Sequence, residues 1–128
     1  MRTLYNYRAF AVENYDGDTA KFNIDLGMKS WIMKEPIRLY GMDTPELSSK
    51  DPEEKIKAYE AKNYLNSLLF ETDAKGVKTP RPVLLQTFKD AKERNGRYVG
   101  IVTVEIDGKM IDVSQEMLRK GLAKIYVE

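Results

Sequence analysis

Apolar and polar residues along this chain change period twice, and the changes divide it into elements. Leu4 to Tyr15 is rich in Tyr, Phe and Val and runs into Asp16-Gly17-Asp18, a turn signal. Ala20, Phe22, Ile24 and Leu26 then alternate with Lys21, Asn23 and Asp25, the period-2 pattern of a half-buried strand. Gly27-Met28-Lys29 predicts a hairpin onto Trp31–Tyr40, where Ile37 and Leu39 share a face opposite Arg38 and Tyr40. These segments predict a three-strand meander.

Asp51-Pro52-Glu53-Glu54 predicts a helix start, with Asp51 as N-cap, Pro52 at N1 and the Glu at N3 completing a capping box. Ala58, Ala61, Leu65 and Leu68, widened by Leu69, form one apolar stripe, and the helix is expected to end near Phe70. Residues 71–81 read as a polar loop. Pro82–Phe88 and Arg97–Ile106 read as two strands joined by the charged turn Lys89–Gly96, and Asp107-Gly108 as a two-residue hairpin turn. Ser114 is the expected cap of a short helix through Lys120, stopped by Gly121 at C′, and Leu122–Val127 is apolar enough to pack back. The fold class is therefore mainly β with helices (α+β), a single domain over 1–128. Five strands, a helix after the third and a short helix near the C-terminus suggest a partly open OB-fold barrel, with a plain α+β sandwich as the alternative.

Composition narrows the chemistry. Among 128 residues there is no Cys and no His, which removes disulfides, thiolate and imidazole metal sites, cysteine nucleophiles and the Ser-His-Asp triad. Catalysis would have to run on carboxylates, Lys, Arg, Tyr, hydroxyls or a hard metal held by oxygens. No run approaches the ~20 apolar residues of a membrane span, and Met1–Phe10 has no apolar stretch suited to a signal peptide. A net charge of +1 argues against a generic polycation.

Charge is nevertheless unevenly placed. Two acidic clusters, Asp16-Gly-Asp-Thr19 and Asp43-Thr-Pro-Glu46, fall at the ends of neighbouring strands. Carboxylates in tight turns suit an oxygen-ligated Ca²⁺-type site, although either cluster alone is also ordinary turn chemistry. Residues 74–97 carry seven Lys and Arg against two acids, whereas residues 42–60 carry six acids against three Lys. An oxygen-lined metal site beside a basic segment suits phosphodiesters.

The set Asp16-Gly-Asp-Thr, Arg38-Leu-Tyr-Gly-Met-Asp-Thr-Pro-Glu46, Asn95-Gly-Arg97 and Leu118-Arg-Lys-Gly-Leu-Ala-Lys124 resembles the staphylococcal nuclease (thermonuclease) family, with all motifs in family order. The resemblance implies an OB-fold and Ca²⁺-dependent hydrolysis of DNA and RNA, leaving 3′-phosphates, with Mg²⁺ a poorer cofactor; a monomer with no membrane partner is expected beside it. It implies Asp18, Asp43 and the Thr44 backbone carbonyl as metal ligands, and Asp16 as an acid just behind them. Glu46 corresponds to the catalytic glutamate that holds the attacking water, as general base or as positioning group. Arg38 and Arg97 correspond to the two arginines that grip the scissile phosphate. Arg94 and Tyr126 correspond to groups that contact the nucleotide.

The chain departs from the family pattern where a Tyr commonly precedes Gly-Arg, since Asn95 stands there. Two rival readings are a non-catalytic OB-fold that binds single-stranded nucleic acid and a protein-interaction module.

Overall fold

The computed structural model describes residues 4–92 and 96–126, with backbone alone at residues 4 and 89–92. Its first three strands are β1 (Leu4–Asn14), β2 (Thr19–Gly27) and β3 (Ser30–Leu39), followed by the short β4 (Met42–Asp43) and the helix α1 (Pro52–Leu69). Two three-residue strands, β5 (Phe70–Thr72) and β6 (Lys78–Pro80), precede the long strands β7 (Pro82–Lys92) and β8 (Tyr98–Ile106). The chain ends with β9 (Lys109–Asp112), α2 (Val113–Arg119) and β10 (Lys124–Ile125).

Antiparallel pairing runs β3-β2-β1-β7-β8-β9, and β3 also pairs in parallel with β8. That last pairing spans Ile37↔Tyr98, Arg38↔Val99 and Leu39↔Gly100. It joins the ends of a five-stranded sheet over three residues, which makes a partly closed barrel of the OB type and not a sandwich. Closure needs a residue without a side chain at the seam. A Cβ on Gly100 would lie 2.7 Å from Leu85 Cδ1 and 3.1 Å from Ile37 Cγ2.

The strand periodicity survives in three dimensions. Ala9, Ala11, Ala20, Phe22, Ile24, Ile37, Leu39, Val83, Leu85, Val102 and Val104 fill the barrel, while the alternate positions of β2 face out. The α1 stripe is buried as its spacing requires. Across the end of the barrel, the Tyr64 hydroxyl of α1 donates to Glu116 Oε2 of α2 at 2.6 Å.

Four details differ from the sequence expectation. Asp51 does cap α1, accepting from the Glu53 amide at 3.1 Å. The reciprocal half of the capping box is a relay, in which the Asp51 amide donates to Ser49 Oγ and that hydroxyl donates to Glu54 Oε2. The cap of α2 is Asp112, whose carboxylate accepts from the Gln115 amide. Ser114 is buried two residues inside, where its hydroxyl has no partner among the described residues. Residues 71–81 are not plain loop, because β5 and β6 form a small hairpin with Asp73 accepting the amides of Lys75 and Val77 at its tip. Finally, β7 runs on to Lys92, beyond the expected Phe88.

The β2–β3 hairpin closes through Met28 and Lys29, both with positive φ (53° and 65°), since Gly27 pairs with Ser30. Type I′ turns favour Asn-Gly at these positions because left-handed backbone is costly for bulky residues. We expect the double substitution Met28→Asn, Lys29→Gly to raise unfolding free energy by ~1 kcal/mol. Urea denaturation checks this, and an unchanged midpoint would show that the turn carries no strain.

Candidate active site

The site grows from the turn between β1 and β2. Asp16 Oδ1 accepts the amides of Asp18 (3.0 Å) and Thr19 (2.9 Å), which folds the turn tightly. Behind it, buried Asn14 donates through Nδ2 to the carbonyls of Asp16 and Lys62 and accepts from Asn66 Nδ2. The turn is thereby fastened to α1. Nothing in the spacing of Asn14 marked this role, since the contact that defines it lies 48 residues away.

Gly17 is the point of closest approach. A Cβ there would stand 2.7 Å from both Ala61 Cβ and Thr44 Cγ2, so only glycine lets the turn sit between α1 and the segment after β4.

With the turn held in this way, Asp18 points inward, 4% exposed. Its Oδ2 lies 2.6 Å from an Arg38 terminal nitrogen and accepts the Thr44 amide at 3.2 Å. Its Oδ1 accepts from the Thr19 hydroxyl. The other Arg38 terminal nitrogen donates to Asp43 Oδ1 and to the Met42 carbonyl. Two carboxylates from different clusters thus converge on one guanidinium. Arg97 donates to Thr19 Oγ1 at 3.0 Å, so Thr19 links the second arginine to Asp18. The Tyr126 ring lies 5.4 Å from the Arg38 guanidinium, placed by its amide donating to the Gly41 carbonyl and by the β10–β4 pairing.

Electrostatics follow from this packing. Burial, with Asp18 beside it, pushes the Asp16 carboxyl up to about 6. Burial would raise Asp18 as well, but hydrogen bonding with Asp16 and the Arg38 charge outweigh it and hold Asp18 below its usual value. Burial tends to lower the Arg38 pKa, yet Asp18 and Asp43 leave it raised.

Glu46 is exposed and apart from the Asp18–Arg38 network among the described residues. It stands on a groove of about 420 Å³ that also carries Asp43, Asp51, Glu54, Lys57 and Lys124. Arg94 lies outside the described residues, as does Asn95. Of the residues expected from the sequence, Asp16, Asp18, Arg38, Asp43, Thr44, Arg97 and Tyr126 are therefore brought together, with Glu46 at the rim.

The donor set can be tested for a cation. Among the described residues no three acidic side chains gather to hold a metal by themselves. Asp18 and Asp43 do share Arg38, and Thr44, whose amide donates to Asp18, buries a hydroxyl that has no hydrogen-bond partner among the described residues. Two carboxylates and Thr44, with Asp43 and Thr44 lining the groove, are the mixed oxygen donors that a hard divalent ion takes.

Among the described residues, no helix is long and apolar enough to cross a membrane. We expect Gly17→Ala to destabilise the fold by ~1–3 kcal/mol through overpacking against Ala61 and Thr44. Urea unfolding measures it, and a cost near zero would mean the turn is free to move away from α1. A search of curated protein sequences finds no significant match. The family model that matches the chain, over residues 36–128, is that of the staphylococcal nuclease homologues, and the Asp16–Thr19 turn precedes the matched span.

Proposed function

The chain belongs to the staphylococcal nuclease family, and from that footing we propose that it is a Ca²⁺-dependent nuclease hydrolysing DNA and RNA with little base preference. Membership supports a nuclease-family or nucleic-acid-binding role. The observation that favours catalysis is the convergence of Asp18 and Asp43 on Arg38, with Arg97 one hydroxyl away through Thr19.

On this reading Asp18, Asp43 and the Thr44 carbonyl hold the cation, and Asp16 keeps the turn in shape through its two amide hydrogen bonds. A divalent ion bound there would polarise a phosphate oxygen and acidify a water. The choice of Ca²⁺ over Mg²⁺ rests on the family, because oxygen ligands suit both ions. Glu46, exposed at the rim, orients or deprotonates the attacking water. Arg38 and Arg97 supply planar forks that bind equatorial phosphate oxygens with paired hydrogen bonds. Arg38 would have to exchange its carboxylate partners for phosphate, which a cation held by Asp18 and Asp43 would allow. Arg97 is too basic to be an easy proton donor, so its part is electrostatic stabilisation of the charge that builds during attack. Tyr126, beside Arg38, and Arg94 complete the nucleotide contacts.

Incubation with plasmid and with RNA in Ca²⁺, in Mg²⁺ and in EDTA tests the proposal. Cleavage should appear with Ca²⁺, fall with Mg²⁺ and vanish with EDTA. Absence of product in every condition, with Asp43→Ala binding nucleic acid as the wild type does, would leave a non-catalytic binding domain instead. Arg97→Lys keeps the charge and loses the fork, so turnover should fall at least ~10-fold. Near wild-type turnover in that variant would reject bidentate phosphate binding by Arg97.

A further inference from the structure

On the outer face of β1–β3, away from the site, sits an aromatic slot that the proposed chemistry leaves unused. Phe10 and Trp31 face out with ring centroids 6.3 Å apart, tilted by 33°. Met33, Asn23 and Pro80 complete a shallow slot of about 490 Å³. Arg8 stands over the Phe10 ring, its guanidinium carbon 4.9 Å from the centroid. Trp31 is 42% exposed and Met33 is 61% exposed.

Two rings and a thioether left open to water are costly on a sheet surface, because each exposes area that could be buried. The backbone is shaped here as well. Lys34 takes a positive φ of 55°, and its amide is caught by Asn23 Oδ1 at 2.9 Å, so β3 bulges beside Met33. Beside the slot stand Arg8, over the Phe10 ring, and Lys34, held to Asn23, against one acid, Asp25, paired with Trp31. Asp25 is partly engaged in accepting the Gly27 amide, and Lys21 pairs with Glu13.

The slot also continues from the site along the same two strands. Thr19 pairs with Arg38 at one end of β2–β3 and Asp25 pairs with Trp31 at the other. Six residues of strand separate them, ~20 Å at ~3.3 Å per residue. A single strand held at Arg38 would reach the slot with about six stacked nucleotides at ~3.4 Å each.

We propose that Phe10, Trp31 and Met33, flanked by Arg8, form a stacking subsite for an unpaired base of a single-stranded nucleic acid whose scissile phosphate lies at Arg38 and Arg97. The occupant is a nucleic acid because the face combines ring surfaces, excess cations and continuity with a phosphate site. Stacking is indifferent to base identity, since every base has a π-face. The inference rests on the nuclease reading for its direction along β2–β3, and it makes the substrate a single strand longer than the site itself needs.

Trp31 is the chain's one tryptophan, so its fluorescence reports this subsite directly. The full chain carrying Glu46→Gln, which on the proposed reading leaves the strand intact, is titrated in Ca²⁺ with a twelve-nucleotide oligothymidylate and separately with a dinucleotide. The twelve-mer should quench Trp31 and the dinucleotide should not. Trp31→Ala should weaken twelve-mer binding, read by the anisotropy of a labelled strand, by ~5–100-fold. Trp31→Phe should keep most of that affinity, which separates stacking from misfolding. With Ca²⁺ present, Trp31→Ala should raise KM for the twelve-mer and leave dinucleotide cleavage unchanged.

An unquenched Trp31 at saturating twelve-mer, or wild-type affinity in Trp31→Ala, would overturn the proposal. So would a Trp31 emission that shifts with protein concentration or with anionic phosphatidylserine vesicles but not with the oligonucleotide, since the face would then belong to a second copy or a lipid surface. Quenching without cleavage under any metal condition would reject the nuclease reading and keep the stacking subsite. Cleavage with equal KM for long and short strands and no quenching would do the reverse.

Discussion

The ion pair between Asp18 and Arg38 organises everything around it. Its atoms are 2.6 Å apart, and the two side chains are 6% and 11% exposed. Taking both charges out of water carries a desolvation cost that attraction offsets only when the remaining hydrogen-bonding capacity is filled. Here it is filled: Asp18 also accepts from Thr19 and the Thr44 amide, and Arg38 also donates to Asp43 and the Met42 carbonyl. Four separate pieces of chain are tied by one pair of side chains: the turn, the end of β3, β4 and the segment after it. A buried pair of this kind is weak evidence for stability as such, because a well-packed apolar replacement often does as well. On the proposed reading, its presence is better accounted for by what the two groups would do with a phosphodiester.

The barrel exists, for this purpose, to bring the ends of β2, β3 and β8 to one place. β3 and β8 run parallel with Arg38 opposite Val99, which places the residue before Tyr98 two positions back along the same seam. Antiparallel pairing of β2 with β3 sets Thr19 opposite Arg38. Helix α1 then closes the back of the turn, through Gly17 against Ala61 and through Asn14 to Lys62 and Asn66. Steric fit and hydrogen bonding act on the same few residues, which leaves the turn little freedom to drift.

Legibility in the sequence followed the range of the interaction. Elements specified by local pattern were readable: the β2 alternation, the Asp51-Pro52 start of α1 and its stripe, the Asp107-Gly108 turn and Gly121 after α2. Ser114 misled because two capping residues lay within reach, and only the tertiary burial of Ser114 decides for Asp112. The β5–β6 hairpin was hidden by polar composition, since it is stabilised by backbone pairing and the Asp73 side chain and not by apolar alternation. For the site, residue types and order within motifs were visible, and the meeting of the two acidic clusters could be expected from neighbouring strands. What could not be read was that both carboxylates share one arginine, that Thr19 carries the link to Arg97, or that Asn14 braces the turn. These contacts join residues 5 to 78 positions apart, and no periodicity encodes them.

A net charge of +1 takes on a different meaning once charges have positions. Asp18 and Asp43 would repel a phosphodiester, with Asp16 behind them and Glu46 at the rim, and Arg38 is already engaged in neutralising the first two. In the absence of a cation the site therefore offers little net attraction to phosphate. On the proposed reading a divalent ion held there would reverse that local field, its charge exceeding what the guanidinium supplies, and would free Arg38 to face phosphate. On the proposed reading, metal dependence would then govern substrate binding as well as the chemical step. Arg8 and Lys34 beside the slot, roughly 13–20 Å along the strands from the site, lie beyond the ~8 Å over which physiological salt screens charge. They are largely insensitive to whether the site is filled. Near-neutrality in total is the sum of one field that a metal can switch and another that it cannot.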